Sequence, residues 1–235
     1  MGPGDSHPSE LMSASIGGLR PSGWRSRAIL VFAGVQNEAL TVSRIGLESC
    51  SGELFIGQDS RTTLTPFHSL VGSVIAQQVS VKAADSITRN LHDHLDWRIT
   101  AGRIVEAPED ELRSVGLSGA WTKTIKGLAH AINTGALDLE KALAYPQDSA
   151  VVAEVTKLWG IGRWTAEMFL MFTMHRLDMW PTEDLAMRKG WNIVHGAEGD
   201  IDPKTLKPLG DPLRPYRSVV AWYRWRAVEV GNSSW

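Results

Sequence analysis

From Pro66 onward the apolar positions recur with helical spacing. Phe67, Leu70, Val71, Val74 and Ile75 fall at i, i+3, i+4, i+7 and i+8, one stripe of an amphipathic helix. Ser80 caps a second helix that carries Ala84, Ile87, Leu91 and Leu95 on one face. Pro108 opens a short helix that Gly116 stops, and Ser118 begins another with Ile125, Leu128, Ala129 and Ile132 inside and Gly135 at its end. Asp148 or Ser149 starts a helix expected to run to about Trp159. Thr165 to about His175 is nearly all apolar through Ala166, Met168, Phe169, Leu170, Met171 and Phe172, which predicts a central buried helix. Two more are expected over Asp184 to about His195 and over Tyr216 to Val230. The pattern predicts an all-α domain of roughly eight helices over residues 65–235, with no internal repeat.

Residues 1–64 follow another pattern. Met1 to Arg27 scatters Gly, Pro and Ser without a period, as in a tail that builds no packed core. Ala28–Ala33, Leu40–Ile45 and Glu53–Ile56 have the character of short strands. This region is expected to be either a small partial sheet or a tail without a stable fold, and its role is unknown.

Composition narrows the class only a little. The 235 residues are 43% hydrophobic and 21% charged, ordinary for a globular chain of one or two domains. No apolar run approaches the ~20 residues that span a bilayer, and no signal peptide is visible, so no membrane partner is expected. The expected location is the cytoplasm, at the nucleoid if the source is bacterial. The one cysteine, Cys50, excludes an intramolecular disulfide framework and any cluster held by four thiolates. A net charge of −2 does not advertise a nucleic-acid binder. The charge is uneven, however: Lys204, Lys207, Arg214, Arg217, Arg224 and Arg226 face only Asp211 between Pro203 and Arg226. Ten tryptophans are many for this length, and tryptophan stacks well on bases and cations.

The informative segment is Lys157-Leu158-Trp159-Gly160-Ile161-Gly162-Arg163-Trp164-Thr165-Ala166. Two glycines flank one apolar residue between two helices. Such a turn can aim successive amides outward at the N-terminus of the next helix, where the dipole favours an anion such as a phosphate. Ile161 would plug between the helices. By itself a Gly-x-Gly is better read as an ordinary helix–helix turn, and Asp184 as a plain helix cap.

The wider context changes that reading, because it resembles the helix-hairpin-helix DNA glycosylase superfamily. That superfamily ends its hairpin with Gly-(Val/Ile)-Gly and places an essential aspartate about twenty residues on; Asp184 stands twenty residues after Trp164. The hairpin is most similar to the bacterial 3-methyladenine DNA glycosylase II family, whose Gly-Ile-Gly-Arg-Trp-Thr-Ala is matched at residues 160–166. Ala76-Gln77-Gln78-Val79-Ser80 looks like the family's Gly-Gln-Gln/Leu-Val-Ser turn, and Pro215-Tyr216-Arg217-Ser218 like its Pro-Trp-Arg-Ser. The resemblance covers about residues 66–230.

The resemblance implies a base-excision enzyme that flips an alkylated purine from duplex DNA and hydrolyses its N-glycosidic bond. Asp184 would be the catalytic acid residue, with Glu183 its neighbouring rival. Trp164, Trp225 and Met168 would line the base pocket, the two indole faces sandwiching the flipped base. Gly160, Ile161, Gly162, Arg163 and Thr165, with Gln77, Gln78 and Ser80, would contact DNA, and Gln78 stands where some relatives push an apolar wedge. Relatives that also cut the strand carry a lysine at the position of Trp164, so a monofunctional enzyme is expected. No cofactor or metal is implied beyond a structural monovalent cation at the hairpin carbonyls, and a monomer is expected. Three other readings stay open: a non-catalytic helix-hairpin-helix DNA-binding module, a glycosylase for other damaged purines, and an all-α scaffold without activity.

Overall fold

The computed structural model describes residues 65–232, all within the second of the two units into which the chain divides, Ile45–Trp235. The strands expected before residue 57 lie outside the described residues. Among those described there are eleven α-helices and no strand. They are α1 (Pro66–Ile75), α2 (Val81–His94), α3 (Ala101–Glu106), α4 (Glu109–Ser114), α5 (Gly119–Asn133) and α6 (Leu139–Leu143). The second half has α7 (Asp148–Val155), α8 (Arg163–Phe172), α9 (Leu185–His195), α10 (Pro203–Leu209) and α11 (Arg217–Asn232), with a single 3₁₀ turn at Asp211–Leu213.

The caps expected at Ser80 and Ser118 form, and Thr65 supplies one that the apolar pattern alone did not name. Thr65 accepts from His68 N at the head of α1, Ser80 from Ala83 N on α2 and Ser118 from Trp121 N on α5. Each satisfies a backbone donor that the first helical turn cannot bond internally. Three short helices escape the apolar period, α3, α6 and α10, because five to seven residues are too few to show one. Their caps, Thr100, Asp138 and Asp202, were the legible signal.

Two boundaries differ from expectation. The helix expected to reach Trp159 ends at Val155, where Leu158 N donates to Val155 O and Ile161 N to Leu158 O as the chain rolls into tight turns. The helix expected from Thr165 to His175 starts two residues earlier and stops at Phe172, ahead of His175 at φ 54°.

One core joins α1 to α8. Leu70, Val71, Val74 and Ile75 of α1 meet Leu91 of α2, Ile125, Leu128 and Ala129 of α5, and Ala166, Phe169 and Leu170 of α8. Each fully buried Leu, Ile or Phe contributes about 1.5–3 kcal/mol relative to exposure, so this stripe carries most of the helical order. A second buried set, Met187, Trp191, Leu206, Leu213, Val219, Val220 and Ala221, belongs to α9, α10, the 3₁₀ turn and α11. Within it α9 and α11 touch backbone to backbone. A Cβ added at Gly190 would lie 1.9 Å from the Arg224 carbonyl oxygen, so only glycine lets the two helices approach this closely.

Candidate active site

Asp184 is the N-cap of α9, and its carboxylate accepts three hydrogen bonds. Oδ1 takes the Met187 amide at 2.6 Å and the Trp225 indole Nε1 at 2.8 Å; Oδ2 takes the Trp164 indole Nε1 at 2.7 Å. Each carboxylate oxygen has two lone pairs, so Oδ1 is fully engaged and Oδ2 keeps one acceptor direction. The expected residues therefore do converge, but through their edges. Both indoles point N–H groups at the acid, a role beyond the stacking expected of them.

Three elements hold that geometry. Trp164 stands in the first turn of α8, Asp184 at the head of α9, and Trp225 on α11 one residue after the Gly190 contact. The loop between α8 and α9 is tied to the start of α11. Arg217 donates Nε to Asp178 Oδ1 at 2.6 Å and a second nitrogen to the Asp178 carbonyl at 2.7 Å. Ser218 Oγ donates to Arg176 O and accepts from Met179 N. The Pro-Tyr-Arg-Ser block is thus a latch for the loop that delivers Asp184. Met168 lies one turn beyond Trp164 on α8 and is buried at 6%, and Phe172 packs on Trp225 with ring centroids 5.8 Å apart.

The hairpin is built differently. Gly160 adopts φ 81°, and a Cβ there would strike Thr124 of α5 at 2.0 Å, so both backbone angle and space demand glycine. Ile161 is 3% exposed and fills the gap between the helices as expected. Gly162 caps α8 with no side chain over the first amides, and Gly160, Gly162 and Arg163 are exposed. Gln77 does not face outward. Its Nε2 donates to Gly160 O at 3.0 Å and to Thr165 Oγ1 at 2.9 Å, bracing the hairpin against the α1–α2 turn. Thr165 is 1% exposed, so its hydroxyl serves that brace and is not presented to a ligand. Gln78 is exposed at φ 61°, a left-handed conformation rare for glutamine, at the tip of the same turn. Ser80 uses its hydroxyl as the α2 cap.

A match to the family model described as HhH-GPD superfamily base excision DNA repair protein spans residues 71–215. The chain belongs to that superfamily. A DNA-3-methyladenine glycosylase 1 of Schizosaccharomyces pombe is 25% identical over 170 residues, covering 71% of this chain and 74% of the relative. A DNA-3-methyladenine glycosylase of Saccharomyces cerevisiae is 28% identical over 202 residues, covering 72% of this chain and 68% of the relative. Among solved structures, the 3-methyladenine DNA glycosylase of S. pombe in complex with abasic DNA has a TM-score of 0.71 at 24% identity, covering 85% of this chain and 95% of that one. A DNA-3-methyladenine glycosidase of Bacillus halodurans has a TM-score of 0.66 at 27% identity, covering 88% and 92%.

Within this HhH-GPD chain two further features emerge. Glu167, hidden in the apolar run of α8, is 5% exposed and bonded to Arg163 Nε at 2.9 Å. Burial pushes its carboxyl up; the Arg163 guanidinium opposes the rise, and the charges of Glu183 and Asp184 add to it. An acid flanked by apolar residues, four positions after an arginine, was the signal for it. The basic stretch, by contrast, is not an open cationic face. Arg217 and Arg214 bind Asp178, and Arg224 is fully buried with its guanidinium 5.0 Å from the Trp191 ring. Among the described residues no helix is long and apolar enough to cross a membrane, and no cluster of His, Cys, Asp or Glu could hold a metal ion.

Proposed function

We propose that this protein is a monofunctional DNA glycosylase that flips alkylated purines of the 3-methyladenine type out of duplex DNA and hydrolyses the N-glycosidic bond. The observation that carries it is the Asp184 carboxylate, capped onto α9 and gripped by the indole N–H groups of Trp164 and Trp225. Breaking the bond develops oxocarbenium character on the sugar. A fixed carboxylate beside C1′ stabilises that charge without reorganising, and the open acceptor direction on Oδ2 can orient the attacking water. Extruding the base costs a few kcal/mol, offset by contacts in the pocket. The relatives named as 3-methyladenine glycosylases support this substrate class. N3- or N7-alkylation makes the purine cationic and weakens its bond, so little acid catalysis is needed. The same charge is drawn to the faces of Trp164 and Trp225, with Met168 as the neighbouring wall.

The exposed amides at Gly162 and Arg163 begin a ten-residue helix with no side-chain cap, an arrangement suited to a DNA phosphate. Gln78, exposed and backbone-strained at its turn, is suited to fill the gap a flipped base leaves. Leu158 O and Gly160 O each already accept one bond, from Ile161 N and Gln77 Nε2, and retain a second lone pair that would suit a monovalent cation. Incubation with methylated duplex should release 3-methyladenine and 7-methylguanine quickly, hypoxanthine slowly, and neither uracil nor 8-oxoguanine. Because Trp164 cannot form a Schiff base, the strand should stay intact. A borohydride-trapped covalent adduct would refute the monofunctional reading, and 8-oxoguanine as best substrate would refute the pocket.

A further inference from the structure

Trp159 has no part in the site described so far. It directly precedes Gly160 and is 57% exposed, unusual for so large an apolar ring. The ammonium of Lys123, on α5, lies 4.1 Å from the centroid of its ring. Lys123 is tied to the hairpin by its neighbour as well, since Thr124 is buried and packs against Gly160. An exposed lysine ordinarily samples many rotamers; one laid across an indole face is held in one direction by cation–π attraction.

The surroundings give that held charge a partner. Lys157 is paired with Glu154 and Arg163 with Glu167, whereas Lys123 has no ion pair among the described residues. The uncapped amides of α8 begin two residues beyond Gly160, so an unneutralised cation and a set of anion-ready donors flank the same turn. Such a pair of features suits neighbouring phosphates of one strand, which carry no sequence information.

We propose that Lys123, perched on Trp159, is a second phosphate contact of the DNA-binding face, gripping the backbone next to the phosphate taken by the hairpin amides. Trp159 acts through Lys123 and is a positioning residue. The proposal rests on the DNA-binding reading above.

The test is the affinity of the full chain for an undamaged duplex, measured by fluorescence anisotropy as salt rises from about 50 to 200 mM. Each phosphate contact contributes about 0.9 to the salt slope, so Lys123→Ala should lose roughly threefold less affinity over that range than the wild type. Trp159→Ala should lower the slope in the same way, Trp159→Phe should keep most of it, and the double variant should be no worse than Lys123→Ala alone. Circular dichroism on each variant holds folding constant. Wild-type affinity and slope in Lys123→Ala, or additive losses in the double variant, would overturn the inference while Gly162→Val, still impaired, upheld the DNA-binding reading. A wild-type protein that bound duplex without salt dependence would instead bring down the DNA-binding reading itself.

Discussion

At Asp184 three N–H donors converge on one carboxylate, two of them from tryptophans 20 and 41 residues away in sequence. At Gly162 a ten-residue helix begins with no side chain over its amides, and the neighbouring Arg163 side chain is 75% exposed. The first region has its polar groups almost fully engaged within the protein; the second leaves its donors facing water. The contrast fits two tasks. A group that must meet a developing charge works best when it is already oriented, because reorganisation adds to the barrier. A surface that must accept any stretch of backbone needs open donors and tolerates solvent until the ligand arrives.

The largest effect should come from Asp184→Asn. Asparagine preserves the cap on Met187 but removes the charge, so base release should fall by about 100-fold or more, roughly 3 kcal/mol, while damaged DNA still binds. Its NH₂ group must also face an indole N–H, so chemical denaturation should show a stability loss of about 1–3 kcal/mol. A fully stable variant would mean that the two indole bonds do not hold the acid.

Next come the tryptophans. Phenylalanine keeps an aromatic face but has no N–H. If the indoles served only as base platforms, Trp225→Phe would be mild and Trp225→Ala severe. The edge-on bonds to Asp184 predict that Phe is itself impaired, with single-turnover excision down on the order of tenfold (about 1.4 kcal/mol), in line with losing one hydrogen bond to a charged group, and that Ala, which loses the aromatic face as well, falls further. Trp164→Phe should behave alike.

The hairpin glycines sharpen the other half of the contrast. A Cβ at Gly162 meets nothing within 4 Å, so Gly162→Val should fold normally and weaken duplex binding several-fold, equally for all sequences. Gly160→Val meets Thr124 and a positive φ, so its first effect should be a lower melting temperature. If the two variants proved interchangeable, the division between a packed and an open glycine would fail.

Much of this was legible in the chain. The apolar stripe of α1, the caps Ser80 and Ser118, the plug at Ile161 and the spacing from hairpin to Asp184 all follow from period, turn chemistry and motif. What period could not reach were contacts set by tertiary approach. Gln77 reads as an outward-facing turn residue until its amide is seen bonded to Gly160 and Thr165. The basic run from Lys204 to Arg226 reads as a cationic face because sequence does not reveal that Asp178 takes two of its arginines. Glu167 was hidden for the opposite reason: seven apolar or aromatic neighbours made its helix look like pure core.

A last effect is one of pH, and it involves a residue of neither region. His68 is 4% exposed and packs edge-on against His92. Burial and then the neighbouring His92 charge lower its pKa to about 4. The unfolded chain therefore binds this proton first, so stability should be full above pH ~6.5 and decline as pH falls towards 4. Urea melts across that window should show the slope, reduced in His68→Phe; an unchanged slope would remove His68 as its source.

The most direct test of the central claim is single-turnover release of 3-methyladenine from a methylated duplex by the wild type and Asp184→Asn side by side. The account predicts rapid release by the wild type, an intact abasic strand, and release at least about 100-fold slower by the variant at equal bound DNA. Equal rates from the two proteins, or no release by a folded, DNA-bound wild type, would contradict it.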